Sequence, residues 1–136
     1  MSNFSSTSYI LFRRVAAFLY DCLLLLAIYF VVTAVAISFN NGHAVHHFAY
    51  KFLLYVISFL FFDWFWMRGG QTLGMRAWKI KLSSTSDASL THVQCLQHYL
   101  LGSLFFVITL FWMLFDKDGR ALHDRLSNTK ISNYIK

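Results

Sequence analysis

The sequence predicts an all-α integral membrane protein with two full transmembrane helices, a third hydrophobic segment and a small cytoplasmic layer. Composition is the first observation: 57% of the 136 residues are hydrophobic and 13% are charged, whereas soluble domains carry about 25% charged residues. The second observation is that three long apolar runs alternate with polar stretches. The third is a net charge of +6, since an excess of Lys and Arg is typical of the cytoplasmic loops of membrane proteins.

The first two apolar runs are long enough to cross a bilayer. The first covers residues 15–37 and contains one charged side chain, Asp21. The second covers residues 50–67, and from Phe52 onward only Ser58 and Asp63 interrupt it. A helix of about 20 apolar residues crosses a hydrocarbon core about 30 Å thick. Both runs therefore predict spanning helices, and the first, which lacks a small-residue cleavage site, is expected to be a retained anchor.

The third apolar run, residues 99–115, is 17 residues long, which is the lower limit for a crossing. Two Lys or Arg precede the first span, one lies in the first loop, four lie in the polar loop 68–98 and five lie in the basic tail 116–136. The positive-inside rule places the N-terminus and loop 68–98 in the cytoplasm. Three straight spans would put the basic tail outside. The third run is therefore either a hairpin or re-entrant segment, or a span that breaks the charge rule.

Two short segments favour the hairpin. Residues 78–82 (WKIKL) and 129–132 (TKIS) alternate polar and apolar side chains, as short strands do. Strands that pair must lie on one side of the membrane. We therefore expect a two-stranded β pair, a cytoplasmic tail, and one membrane domain that covers residues 1–136.

Three motifs in this chain resemble motifs of the RDD family of bacterial membrane proteins. They are FRRVAA with the following YD (within residues 12–21), GGQTLGMRAWK (residues 69–79) and LHDRLSNT (residues 122–129). In this resemblance the Arg and the two Asp that name the family fall on Arg14, Asp21 and Asp124. The family commonly carries an arginine before the third hydrophobic segment, where this chain has His98. The resemblance implies a multi-pass protein of the bacterial cytoplasmic (inner) membrane.

Asp21 is the charged group that most needs a partner. Arg14 is seven residues earlier, on the same helical face but about 10.5 Å away along the axis. A carboxylate inside a span costs about 2.5–3.5 kcal/mol on insertion scales, so it should face protein or water and be paired. The expected partners from other segments are Arg68, Arg76, His98 and Arg125. For Asp63 the expected partner is Arg68, near the end of the second span.

The remaining polar residues predict neither catalysis nor a metal centre. His123 next to Asp124 is a common catalytic pairing, but the sequence offers neither a nucleophile nor a third ligand beside them, so Asp124 is expected to form a structural salt bridge or cap. The histidines of the first loop, at positions 43, 46 and 47, are interpreted as polar loop residues. Cys22 and Cys95 are interpreted as reduced thiols. No catalytic residue, metal or cofactor is predicted, and the protein is not expected to be an enzyme.

Two functions remain open at this stage. The first is a structural, accessory or interaction protein, whose basic amphipathic segment 75–81 lies on anionic headgroups; nucleic acid is not an expected partner. The second is a homo-oligomeric transporter that exchanges cations for protons at Asp21, since transport has been proposed for RDD proteins. Two or three helices enclose no pore, so this second function needs further copies or another membrane protein. Small residues on the first helix are candidate contact points: Ala27, Ala34 and Ala36.

Overall fold

The computed structural model describes residues 2–134, and two long antiparallel helices dominate it. Helix α1 covers Ser2–Phe39 and α2 covers Phe48–Gly69. Segments Thr7–Phe39 and Phe48–Gly69 are long and apolar enough to span a membrane, and they contain the predicted spans 15–37 and 50–67. At 1.5 Å per residue α1 is about 57 Å long, so its N-terminal end extends beyond a 30 Å hydrocarbon core.

Hydroxyl groups inside the two spans pair with each other. Tyr29 of α1 is hydrogen-bonded to Ser58 of α2, and Thr33 is hydrogen-bonded to Tyr50. These contacts satisfy polar side chains that lipid cannot satisfy. Most of the large apolar side chains on the other faces of α1 are exposed in the isolated chain, for example Leu23, Phe30 and Val31. Such surfaces suit contact with lipid.

The third hydrophobic segment is a bent pair of helices. Helix α4 covers His92–Leu104, α5 covers Phe106–Phe115, and their axes meet at 98°. A straight span over 99–115 is therefore excluded, while a broken span and a re-entrant segment both fit this bend. Helix α4 begins inside the predicted loop 68–98 because Thr91 and Gln94 form a capping box, which satisfies the first free N–H groups of the helix.

The predicted two-stranded sheet is confirmed. Strand β1 (Ile80–Ser84) pairs antiparallel with β2 (Thr129–Asn133), with Leu82 opposite Ile131. The strand begins at Ile80 rather than at Trp78 because Lys79 has a φ of 54°, which extended backbone does not allow. The pairing joins loop 68–98 to the tail at one end of the molecule. Met1, Ile135 and the last cation of the tail, Lys136, lie outside the described residues.

Two short helices complete this end of the molecule. Helix α3 covers Leu73–Ala77 and α6 covers Leu122–Leu126; together with β1 and β2 we call them the polar layer. Gly74 of α3 packs against the backbone of α1 so closely that a Cβ atom would lie 2.2 Å from the carbonyl oxygen of Ala17. Only glycine allows this approach. The N-terminal half of α1 is thus held directly against the polar layer.

Candidate functional site

Arg14 and Asp124 form a buried ion pair that joins α1 to α6. Arg14 is 8% exposed and Asp124 is fully buried. Nη1 of Arg14 donates to Oδ2 of Asp124 at 2.6 Å, and Nη2 donates to Oδ1 at 3.1 Å. Two parallel N–H···O bonds are the strongest geometry for such a pair. The structure thus gives Asp124 the salt bridge that the sequence predicts. The partner, Arg14, comes from α1 near the other end of the chain.

Two histidines complete this cluster. Nδ1 of His98 lies 3.2 Å from Oγ1 of Thr129 and 3.3 Å from Oδ1 of Asp124. Nε2 of His123 lies 3.1 Å from Nη2 of Arg14. A guanidinium only donates hydrogen bonds, so this nitrogen of His123 accepts and the ring is neutral. His98 therefore contacts Asp124 where the RDD pattern would place an arginine, and it does not contact Asp21.

The cluster shifts the titration of its groups in the polar layer. Burial, followed by the neighbouring His98 imidazole and Arg14 guanidinium, lowers the pKa of His123 to about 3, while Asp124 acts in the opposite direction. Burial on its own raises the pKa of Asp124, but the Arg14 guanidinium and the two imidazoles outweigh it and lower this pKa to about 2. At neutral pH the cluster thus holds one carboxylate, one guanidinium and a neutral His123.

The same cluster contains residue types that bind metal ions, but its positive charge is the guanidinium of Arg14. One ligand atom each from His98, His123 and Asp124 lies within 4.8 Å of the others. The sequence could not show this third ligand, because His98 comes from α4 while the other two are adjacent in α6. Arg14 already binds the Asp124 carboxylate and the His123 Nε2. A metal ion would have to displace a positive charge that fits the same three groups.

Asp21 is held by a different set of donors. It is 2% exposed, and its two oxygens accept from the Thr72 hydroxyl and from the backbone N–H of Gly74, the latter at 2.9 Å. Thr72 is also the N-cap of α3, since its hydroxyl accepts from the N–H of Met75 at 3.2 Å. Asp21 therefore fixes the start of α3 against α1. A cation is not needed for this, because backbone and hydroxyl donors satisfy both oxygens.

The expected cationic partners of Asp21 lie elsewhere. Arg125 binds Asp116 at 2.7 Å and Asp118 at 2.9 Å. Arg68 stacks on Trp64, with its guanidinium carbon 4.4 Å from the ring centre. Arg76 forms no ion pair within residues 7–134, the range over which side chains are described.

The expected pair of Asp63 with Arg68 is also replaced. Oδ2 of Asp63 lies 2.8 Å from Nδ1 of His92, the first residue of α4. The two arginine expectations were wrong for the same reason. The sequence does not show which elements fold back onto a helix, and the partners of both carboxylates come from such elements.

Two cavities adjoin the two carboxylate sites. A cavity of about 90 Å³ is bordered by Asp21 and Thr72 on one side and by Arg14, His98 and His123 on the other. This volume is enough for a few water molecules, and its polar lining offers them partners. A second cavity of about 500 Å³ lies between α1, α2 and the bent pair, and His98 and His123 border it as well. The two histidines thus line both cavities.

Family comparison agrees with the three motifs of the sequence. No curated protein and no solved structure matches the chain. The sequence model of the RDD family matches residues 10–128. This range includes Arg14, Asp21 and Asp124 and covers most of the chain. The chain belongs to the RDD family of membrane proteins.

Proposed function

We propose that this protein is a structural or accessory protein of the bacterial cytoplasmic membrane, with its N-terminus and polar layer in the cytoplasm. One observation carries the proposal: in two buried carboxylates, those of Asp21 and Asp124, both oxygens bind groups that hold the polar layer against α1. Asp124 uses both oxygens on Arg14, and Asp21 uses both on Thr72 and Gly74. Carboxylates held in this way fix a layer in place, which is what a binding platform requires.

The orientation is supported by charge and by the sheet. Nine of the twelve Lys and Arg lie in loop 68–98 and in the tail, and β1 and β2 hold these two segments together. A positive layer is favoured at the cytoplasmic surface, where anionic lipids attract it. With two spans between them, the charges before the first span and those of loop 68–98 would lie on the same side, and a re-entrant third segment would keep the tail there too. The lipid surface and another membrane protein are the partners that this layer fits.

The accessory function is tested by crosslinking in native membranes. A photo-crosslinking amino acid replaces Leu126 or Trp78, both partly exposed on the polar layer, and in the control it replaces Phe30, which is 77% exposed on the spanning part of α1. We expect a discrete protein adduct at Leu126 or Trp78 and only lipid adducts at Phe30. Lipid adducts alone at all three positions would contradict a protein partner.

A homo-oligomeric transporter is the second candidate, and the smaller cavity is the observation that favours it. This cavity connects Asp21 with the His98 and His123 cluster, so waters in it would link the two carboxylate sites. In this function Asp21 exchanges a cation for a proton. Purified protein is reconstituted in liposomes with an internal pH dye, and Na⁺ or K⁺ gradients are applied to wild type, Asp21→Asn and the control Asp63→Asn.

The flux result separates the two functions. The accessory function predicts no cation-dependent proton flux in any of the three proteins. Flux in wild type and Asp63→Asn that is lost in a folded Asp21→Asn would establish transport and overturn the first proposal. Size-exclusion profiles that match wild type are the control for folding.

A further inference from the structure

The larger cavity has the size and walls of a ligand site within the membrane region. Its volume of about 500 Å³ falls in the range of about 300–1,000 Å³ that is typical of small-molecule sites. Apolar side chains from α1, α2 and α5 form most of its wall, among them Leu25, Leu26, Phe62 and Phe106. Because α1 and α2 are the two candidate spans, a ligand that enters between them comes from the bilayer and brings an apolar chain.

Two residues of this wall carry buried hydrogen-bonding groups without partners among the described residues. Nε2 of His123 accepts from Arg14, so its proton is on Nδ1, and this buried Nδ1 has no hydrogen-bond partner among the described residues. The indole Nε1 of Trp66 is likewise buried and unpaired in the same part of the chain. A buried donor that is left without an acceptor destabilises the folded chain. Both side chains line the cavity, and each carries an N–H that lacks an acceptor among the described residues.

His98 adds the complementary group. Its Nδ1 is engaged by Thr129 and Asp124, and a proton on Nδ1 would point at the Asp124 carboxylate, so Nε2 is left as an acceptor. The ring of His98 lies between Trp66 and His123, with centroid distances of 5.0 and 4.5 Å. One acceptor therefore lies next to two unpaired donors. A hydroxyl group, which both donates and accepts, matches this set.

The charges around the cavity disfavour a ligand with an ionised headgroup. The positive charge of Arg14 is already matched by Asp124 through two hydrogen bonds, and His123 is neutral. A carboxylate or phosphate would bring an uncompensated negative charge into a buried site, and an ammonium would bring an uncompensated positive charge; both are costly. We propose that the larger cavity binds a neutral lipid alcohol, with its apolar chain between α1 and α2 and its hydroxyl at His98, His123 and Trp66.

Direct binding tests this proposal in nanodiscs. The probe is radiolabelled monooleoylglycerol, and the competitors are oleate, which has the same chain but is ionised at pH 8, and methyl oleate, which lacks the hydroxyl. We expect saturable binding at one site per chain, with each competitor weaker than unlabelled monooleoylglycerol by about tenfold or more. Competition by oleate at equal concentration would overturn the neutral hydroxyl. Non-saturable uptake would overturn the site itself.

Two variants address the cavity without removing the ion-pair cluster. Leu26→Trp fills the cavity from α1, and its matched control Val31→Trp places the same side chain at a lipid-facing position of that helix, since Val31 is 62% exposed and does not line the cavity. Gly102→Leu covers His123, whose ring carbon Cδ2 would lie 3.5 Å from a new Cβ. We expect Leu26→Trp and Gly102→Leu to weaken binding by about tenfold or more, and Val31→Trp to bind like wild type. Unchanged binding in a folded Leu26→Trp would overturn the location.

A last competition distinguishes the two membrane sources of such an alcohol. Glycerides and reduced quinones both carry hydroxyls on apolar chains, so a short-chain quinol is titrated against labelled monooleoylglycerol. Displacement at lower concentrations than unlabelled monooleoylglycerol assigns the site to quinols, and displacement only at higher concentrations assigns it to glycerides. Failure of both to displace the label would contradict the proposal.

Discussion

Asp124 and Asp21 are both buried against the polar layer, but different chemistry holds them. Asp124 faces a full positive charge, with two N–H groups of Arg14 on its oxygens. Asp21 accepts from a hydroxyl and a backbone N–H, neither of which carries a net charge. Removing one member of a buried ion pair leaves a charge without compensation, whereas replacing a carboxylate by an amide can retain an acceptor. The two sites should therefore respond very differently to similar substitutions.

The largest expected effect is at the ion pair. Arg14→Met leaves the Asp124 carboxylate buried and unpaired, so we expect the free energy of unfolding to fall by about 3–5 kcal/mol. Detergent-based unfolding titrations followed by circular dichroism measure this. The double variant Arg14→Met with Asp124→Leu removes both charges and should recover most of the loss. A single variant as stable as wild type would show that the pair contributes nothing.

The second largest expected effect is a loss of stability at acidic pH, which arises in the same cluster. His123 is neutral in the folded chain with a pKa of about 3, whereas a histidine in an unfolded chain has a pKa of about 6.5. The unfolded state thus binds more protons between these values, and stability falls as pH decreases below about 6.5, with a slope of up to about 1.4 kcal/mol per pH unit. Asp124, with a folded pKa of about 2, adds its own loss only below about pH 4.

Thermal unfolding between pH 7 and pH 5 isolates the histidine contribution. The groups that face His123 are Arg14, His98 and Asp124, so His123→Asn keeps the ion pair and should reduce the slope. His43→Asn, in an exposed loop, is the matched control and should follow the wild-type slope. Equal slopes in His123→Asn and wild type would contradict a buried neutral His123.

The close contact beside Asp21 should tolerate an added methyl group poorly. Gly74→Ala would place a Cβ 2.2 Å from the Ala17 carbonyl oxygen, and we expect a loss of about 1–3 kcal/mol from overpacking. Gly69→Ala is the control, because its nearest contact would be Nη2 of Arg76 at 3.8 Å, and its effect should stay within about 0.5 kcal/mol. Equal unfolding curves for the two variants would show that α1 and α3 are not in direct contact.

The smallest expected effect is that of Asp21→Asn. The amide oxygen still accepts from one of the two donors, so the expected loss is about 1 kcal/mol, near that of a single hydrogen bond. The matched change Asp124→Asn leaves Arg14 as an unpaired buried charge and should cost about 3–5 kcal/mol. The contrast between these two variants in one unfolding titration is the direct test of the comparison. Equal losses would show that the two carboxylates are held alike.

The sequence predicted the parts of this structure that depend on local pattern. Both spans follow from run length, the β pair follows from alternation at residues 78–82 and 129–132, and the three motifs identified the family. The polar contacts were predicted less well. Asp21, Asp63 and Arg125 each have a partner that differs from the expected one, because a partner across a bundle is set by which elements fold back and not by spacing. The capping box at Thr91 was the missed local signal for α4.

The cluster itself could be predicted only in part. Arg14 and Asp124 were identified as two of the residues that name the family, and a salt bridge or cap was expected for Asp124, but no local pattern places position 14 beside position 124. His98 was considered as a partner for the wrong carboxylate. Its role depends on the position of α4 against α6, which residue types alone do not encode.

The separation of Arg14 from Asp124 has a consequence for the order of events during synthesis. The two residues are 110 positions apart in the chain, and at about 5–20 residues per second the ribosome needs about 5–22 s to make the partner after the arginine. During that time the Arg14 guanidinium is without the carboxylate that it binds in the folded chain. It can become part of the folded core only after α6 has been made.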